Sequence, residues 1–313
     1  MGRVRITDRP QRLHRAILTT AWMVAVAVLA VAPSARADDL YGPTQSDWKS
    51  AVAYSIQHPE ALPIGMNVPG CRPTTDHPRP VVLLNGAFLN KYATWSMYAP
   101  QLAAAGYCVF GLDYGGPTSG PFHQVGDLRT SAREIGAFIE RVAARTGSDQ
   151  VDVVGYSEGG LVPFHYLNEL GGTRRVNTFI ALASPVQGMS GYGFLEWIAQ
   201  IPGGTGGLKA SLPAAVDGTK NSEYMRAIRR DGLTRPDVRY VTVSSRHDLV
   251  VDPAEATLTP APNVTNTVIQ DSCPEDHVFH GSVIYDDITL RLVQNALHPS
   301  SAQAPHCHPV APG

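Results

Sequence analysis

The chain has 313 residues, 43% hydrophobic and 17% charged. That is enough apolar material for a real core, and it excludes global disorder. Net charge is -2, and no cluster of Lys and Arg forms the basic footprint that nucleic-acid binding needs.

The first 37 residues distort that balance. They carry six Arg (3, 5, 9, 12, 15, 36) and one acid, Asp8, leaving 19 basic and 26 acidic residues, a net charge near -7, in the remainder. Arg3 to Arg15 form a positive stretch, and Ala16 to Ala32 an apolar one interrupted by Thr19 and Thr20. Ala35-Arg36-Ala37 follows as an A-x-A cleavage pattern. This order predicts a secretory signal peptide over 1–37; the apolar run is short of the roughly 20 residues that a spanning helix needs. Residues 38–313 then read as one domain, secreted after cleavage. Export predicts that the four cysteines pair as disulfides, and no C-x-x-C suggests zinc or thioredoxin chemistry.

Residues 38–78 are polar and rich in Pro and Gly, with a short helix predicted near Asp47 to Gln57. A buried-strand run, Pro80 to Leu84, ends at Asn85-Gly86. A helical period runs from Trp95 to Ala105 and stops at Gly106, and Tyr107 to Leu112 is a second strand. Asp127 to Thr146 reads as a long amphipathic helix, Val151 to Val154 as a third strand, Glu158 to Leu170 as a helix and Val176 to Ala183 as a fourth strand. Strands alternating with helices predict an α/β fold with a mostly parallel central sheet flanked by helices. The rhythm breaks over 186–237, which holds Gly203-Gly204, Gly206-Gly207, the aromatics Tyr192, Phe194 and Trp197, and a helical run from Ser222 to Arg230. An insertion of that length is expected to be a cap or lid. Strands Val238 to Ser244 and Val264 to Ile269 and a helix Asp286 to Leu297 complete the pattern.

Gly155-Tyr156-Ser157-Glu158-Gly159 fits G-x-S-x-G. The match follows a buried strand and precedes a helical segment, the context in which such a turn presents a nucleophilic serine. The glycines are needed because side chains two residues either side of Ser157 would collide with each other or with the neighbouring strand. A serine hydroxyl needs a base to take its proton, and in folds of this type acid and base follow the nucleophile in that order. Asp248 lies just past the strand Val238 to Ser244, where sites gather in open α/β sheets. Asp252, four residues later and before Pro253, suits a turn. The base is expected in the loop after the last strand, where His277 and His280 compete. One oxyanion donor is expected from the backbone N–H of Glu158, and the second from Ala87 or Phe88 beyond Gly86.

The ordered motifs carry a resemblance. Pro80 to Gly86, Trp95, Leu102 to Phe110, Asp113-Tyr114-Gly115, Val151 to Gly160 and Val264 to Leu297 together resemble secreted bacterial lipases of the α/β-hydrolase superfamily, similar to class 2 triacylglycerol lipases. The likeness covers roughly 65 to 300 and is weakest in the insertion. The family's last loop resembles Cys, six residues, His, five residues, Asp, which Cys273, His280 and Asp286 reproduce and His277 does not. The resemblance thus implies His280 as base, oriented by Asp248. Three positions depart from it: Asn85 and Tyr156 each replace a common His, and Glu158 a common Gln. A carboxylate at Glu158 is expected to oppose the oxyanion. In this fold the strands after Cys71 and at Cys108 are neighbours, while Cys273 opens the His280 loop at the opposite edge. This predicts the pairs Cys71–Cys108 and Cys273–Cys307, since crossed bridges would have to span the sheet.

The reading is a serine hydrolase cleaving lipid-type carboxylic esters, needing no metal or organic cofactor. Its expected partners are the ester substrate and transiently a lipid interface, with no nucleic acid and no obligate protein partner. An exported acyltransferase and a catalytically silent lipid- or partner-binding protein are the alternatives.

Overall fold

The computed structural model describes residues 40–116, 123–190 and 204–312. The expected signal peptide at 1–37, and 191–203 of the insertion, lie outside them. Two short parallel strands, β1 (Tyr41–Gly42) and β2 (Leu62–Pro63), flank the helix Trp48–Gln57. The main sheet is built from β3 (Val81–Leu84), β4 (Val109–Leu112), β5 (Val151–Tyr156), β6 (Val176–Leu182), β7 (Arg239–Ser244) and β8 (Val264–Val268). All its pairings are parallel and its order is β4-β3-β5-β6-β7-β8.

β3 and β5 are buried at every position. Their unbroken apolar runs suit strands covered by helices on both faces. One face packs against helices Leu128–Thr146, Pro163–Glu169 and Glu223–Arg229 through Leu128, Ile135, Phe164 and Tyr224. The other packs against helices Tyr98–Ala104 and Asp287–Leu297 through Leu102, Ile288 and Val293. β8, partly exposed along its length, is one edge of the sheet and β4 the other. The chain leaves β3 for β4 on one side and then returns to place β5 on the other. The crevice beyond the carboxyl ends of β3 and β5 is therefore the topological switch point where open α/β sheets bind ligands.

Two expected helices are interrupted, both by proline. Of the run expected from Trp95 to Ala105, Trp95 instead ends a separate helix, Lys91–Trp95, and Tyr98–Ala104 forms a second one. Pro100 has no N–H to donate to Ser96 and sits instead in the first turn of the second helix. The run expected from Glu158 to Leu170 is a 3-10 turn, Ser157–Gly160, followed by the helix Pro163–Glu169. Pro163 likewise cannot donate to the carbonyl of Gly159.

Both disulfides join the expected partners, Cys71 to Cys108 with Cα atoms 5.7 Å apart and Cys273 to Cys307 at 5.0 Å. The described part of the 186–237 insertion contains helices Gly204–Ser211, Pro213–Asp217 and Glu223–Arg229. It docks on the start of the long helix, where Asp217 Oδ2 accepts from Leu128 N–H at 3.2 Å and Ala214 N–H donates to Val125 at 3.3 Å.

Candidate active site

Ser157 stands at the end of β5 with φ +52°, in the left-handed region. A non-glycine residue held there is strained, and surrounding structure must over-determine it. The flanking glycines show how. A Cβ on Gly155 would stand 2.0 Å from the carbonyl oxygen of Gly159, and one on Gly159 would stand 2.4 Å from that of Leu84. Backbone therefore fills the space that side chains would need, and the serine is forced up into the crevice. Gly86 passes equally close, its virtual Cβ 2.8 Å from the Tyr156 ring and 3.0 Å from Ser157 Cβ.

Ser157 Oγ lies 3.0 Å from His280 Nε2, and His280 Nδ1 lies 2.8 Å from Asp248 Oδ2. A carboxylate only accepts, so Nδ1 carries the imidazole proton and Nε2 is left to accept from the serine hydroxyl. The other Asp248 oxygen accepts from the N–H groups of Val250 and Val251 at 2.8 and 2.9 Å. Asp248 is thereby clamped by its own loop just beyond β7.

The competing residues go elsewhere. Asp252 accepts from Ala254 N–H at 2.8 Å, a turn role. His277 turns its Nδ1 to His247 Nε2 at 3.1 Å on the exposed side of the loop. Asp286, the last member of the spaced pattern, caps the final helix by accepting from Thr289 N–H at 2.6 Å.

The oxyanion candidates separate as well. Phe88 N–H donates to the carbonyl of His123 at 3.0 Å, so it is already engaged and the expectation for Phe88 is corrected. Among the described residues Ala87 N–H has no such acceptor, and Ala87 faces the same cavity as Ser157, Glu158 and His280. The loop is held from behind by a buried network. Asn85 accepts from the Trp95 indole at 3.0 Å and donates to Asp113 at 2.8 Å. Asp113 in turn bonds Lys91 at 2.6 Å.

Glu158 also departs from expectation. Its side chain is buried, its Oε1 has no hydrogen-bond partner among the described residues, and burial, reinforced by Asp217, pushes its pKa well above the usual carboxyl range. Desolvation disfavours the charged form. Burial therefore favours the neutral form, which weakens the charge expected to oppose the oxyanion.

Several positioning residues escape sequence reasoning. Tyr156 donates its hydroxyl to the backbone carbonyl of His280 at 2.9 Å, and its ring lies 5.2 Å from the imidazole. Ser245 Oγ donates to Val278 at 2.6 Å, tying the acid loop to the base loop. With its amide oriented so that nitrogen meets acceptors and oxygen meets donors, Gln124 donates to the carbonyls of Gly86 and His123 at 3.3 and 3.2 Å, which steadies the oxyanion loop. A Tyr in the elbow was the one local signal; the other two depend on tertiary placement.

Above Ser157 opens a mostly apolar cavity of about 240 Å³. Leu128 and Leu161 come from the sheet-flanking segments, Met189, Leu212 and Ala214 from the insertion, and Phe88 and Val250 from the rim.

A strained serine at a sheet switch point, paired with a histidine and a carboxylate beneath an apolar cavity, defines a hydrolase-type site. The profile of the alpha/beta hydrolase fold family matches residues 79–247, more than half of the chain, and the protein belongs to that family. The match takes in the elbow and stops one residue short of Asp248. Among solved structures, the fold is similar to lipase B of Aspergillus fumigatus, with TM-score 0.57 and 21% identity over 73% of this chain and 53% of that one. It is also similar to the mature form of the Bacillus licheniformis lipase BlEst2, with TM-score 0.54 and 18% identity over 72% of this chain and 94% of that one. The chain thus spans about half the length of the first and nearly all of the second. No curated protein sequence matches it.

Proposed function

We propose that the protein is a secreted carboxylic-ester hydrolase acting on lipid-type esters. Ser157 attacks the ester carbonyl while His280 takes its proton. The N–H groups of Glu158 and Ala87 meet the developing oxyanion. His280 then gives the proton to the departing alcohol, and water activated by the same imidazole releases the acid and restores Ser157. Asp248 fixes the imidazole tautomer and stabilises its charged form. One observation carries the reading: the 3.0 Å and 2.8 Å contacts linking Ser157, His280 and Asp248 at the floor of an apolar cavity.

The two relatives named as lipases agree with this reading. Secretion is supported by the N-terminal pattern at 1–37 and by the two disulfides, which persist in oxidising compartments. The insertion at 186–237 acts as the cap, in keeping with the lining it contributes. Contact with a lipid interface is supported by Phe88, Leu249 and Val250, exposed apolar residues at or beside the cavity rim.

A p-nitrophenyl ester series from acetate to palmitate, with and without a lipid interface, tests the proposal. Turnover should rise above the acetate value with longer chains. Ser157→Ala should lower kcat on the order of 10³ or more in a folded protein. Near-normal turnover in that variant would overturn the assignment.

A further inference from the structure

His247 and His277 take no part in the proton transfers, yet they sit in the two loops that supply the acid and the base. His247 precedes Asp248, and His277 stands three residues before His280. Their side chains meet, with His277 Nδ1 3.1 Å from His247 Nε2 and ring centroids 4.7 Å apart. His277 is exposed and His247 half-buried, and neither lines the cavity above Ser157. The pair is open to solvent instead.

The backbone around both rings is anchored. Ser245 Oγ accepts from His247 N–H at 3.1 Å and donates to the Val278 carbonyl at 2.6 Å, which joins one histidine's loop to the other's. Gln270 braces the same joint from inside, its buried amide donating to Ser245 Oγ and to the Asp276 carbonyl, both at 3.0 Å. His277 N–H donates to the Val310 carbonyl at 3.0 Å. Such anchoring lowers the ordering cost of a ligand shared by the two rings.

The chemistry of that ligand follows from the atoms that meet. One imidazole can donate to the other, but two neutral rings can also both present lone pairs here, each keeping its proton on its other nitrogen. Zinc bonds imidazole nitrogen at about 2.0–2.1 Å. Two such bonds to atoms 3.1 Å apart enclose an angle of about 98°, between the square and tetrahedral values, so the rings need to turn but not to separate. Nitrogen donors favour zinc, copper or nickel over magnesium or calcium. Arg246, the neighbouring cation in sequence, is ion-paired with Asp271. Among the described residues no third His, Cys, Asp or Glu converges on the pair, so water must complete the coordination.

We propose that His247 and His277 form a two-histidine site for a divalent transition-metal ion, which clamps the Asp248 loop to the His280 loop. Metal binding is the readout, so the proposal stands or falls independently of the ester-hydrolase reading. Zn2+ is titrated by calorimetry into full-length protein stripped with EDTA and dialysed, and thermal melting is followed in parallel. The wild type should bind Zn2+ and melt at a higher temperature with it. His247→Ala and His277→Ala should each weaken binding by about tenfold or more. The tail histidines serve as a control: His306 and His308 have ring centroids 5.9 Å apart, and His308 Nε2 lies 3.5 Å from Asp287. Replacing both by Ala should leave the loop site's affinity within about twofold. In the wild type, sub-stoichiometric Cu2+ should broaden the ring-proton NMR signals of His247 and His277 before those of the other histidines, a result that needs no variant to fold. Absence of Zn2+ binding, binding that survives either loop variant, binding lost only with the tail histidines, or broadening that begins at other histidines overturns the proposal.

Discussion

His277 and His280 stand three residues apart in one loop and differ in what they touch. His280 bridges Ser157 and Asp248, whereas His277 pairs with His247 away from the nucleophile. Because members of a catalytic unit are non-additive, His280→Ala should be about as damaging as Ser157→Ala, and His277→Ala should leave kcat within a few-fold of normal. The reverse order in purified variants would make His277 the base. Tyr156 acts one step removed, by holding the His280 carbonyl. Tyr156→Phe keeps the ring and deletes that bond, so kcat should drop up to about tenfold with KM little changed. Its pH–rate profile should also shift relative to the wild type; a profile and kcat identical to wild type would reduce Tyr156 to packing. Glu158 makes a prediction about stability. Its carboxyl titrates well above the usual value when folded, and near 4.5 when exposed. Above pH 4.5 the unfolded chain therefore binds fewer protons at this site than the native one, and stability declines as pH rises, by up to about 1.4 kcal/mol per pH unit. Glu158→Gln removes that decline. The melting temperature of the variant minus that of the wild type should grow from pH 4.5 toward 7, and a difference that shrinks over that range would contradict a buried neutral carboxyl.

At the scale of elements, the elbow is made by close backbone approach rather than by any side-chain bond. Gly155 and Gly159 leave no room for a methyl group, with Cβ positions 2.0 and 2.4 Å from carbonyl oxygens. Both contacts are with backbone, which cannot swing aside. Gly155→Ala or Gly159→Ala should therefore displace Ser157 and abolish activity, with destabilisation of several kcal/mol; a folded, active Gly155→Ala protein would refute the steric account. Much of this was legible beforehand. The glycine spacing, the unbroken apolar runs of β3 and β5 and the order serine, acid, histidine are local patterns, and local patterns predicted the sheet and the residues that meet on it. The interruptions at Pro100 and Pro163 carried a local signal too, which helical periodicity overrode. What could not be read was partnership across distance. Phe88 and Ala87 are equivalent in sequence until the His123 carbonyl, 35 positions away, engages one of them. The raised pKa of Glu158 likewise follows from burial, reinforced by Asp217, a residue of the insertion.

Across the whole molecule the two disulfides do different work. Cys71–Cys108 joins the segment before β3 to the start of β4 at the end of the sheet away from Ser157. Cys273–Cys307 ties the C-terminal tail to the base loop. The tail then runs along that loop: Val310 accepts from His277 N–H at 3.0 Å and donates to Glu275 at 3.2 Å, and Pro312 accepts from Ser282 Oγ at 3.2 Å. His280 lies between those anchor points. Each bridge closes a loop of similar size, with sequence separations of 37 and 34, so chain entropy alone assigns both roughly 4 kcal/mol. The difference lies in what opens when each is lost. Without Cys71–Cys108, the core around Cys108 must loosen, and the cost falls on global unfolding. Without Cys273–Cys307, the tail can detach while the sheet stays intact, and the cost falls on the orientation of His280. Replacing Cys273 and Cys307 together by Ala should thus lower kcat several-fold at 25 °C, since small misplacements of a catalytic group are costly. Replacing Cys71 and Cys108 together should lower the melting temperature while leaving kcat at 25 °C within about twofold. Both double variants are compared by ester turnover and thermal melting in parallel. If the Cys71/Cys108 variant loses turnover while the Cys273/Cys307 variant keeps it, the tail does not position the base loop.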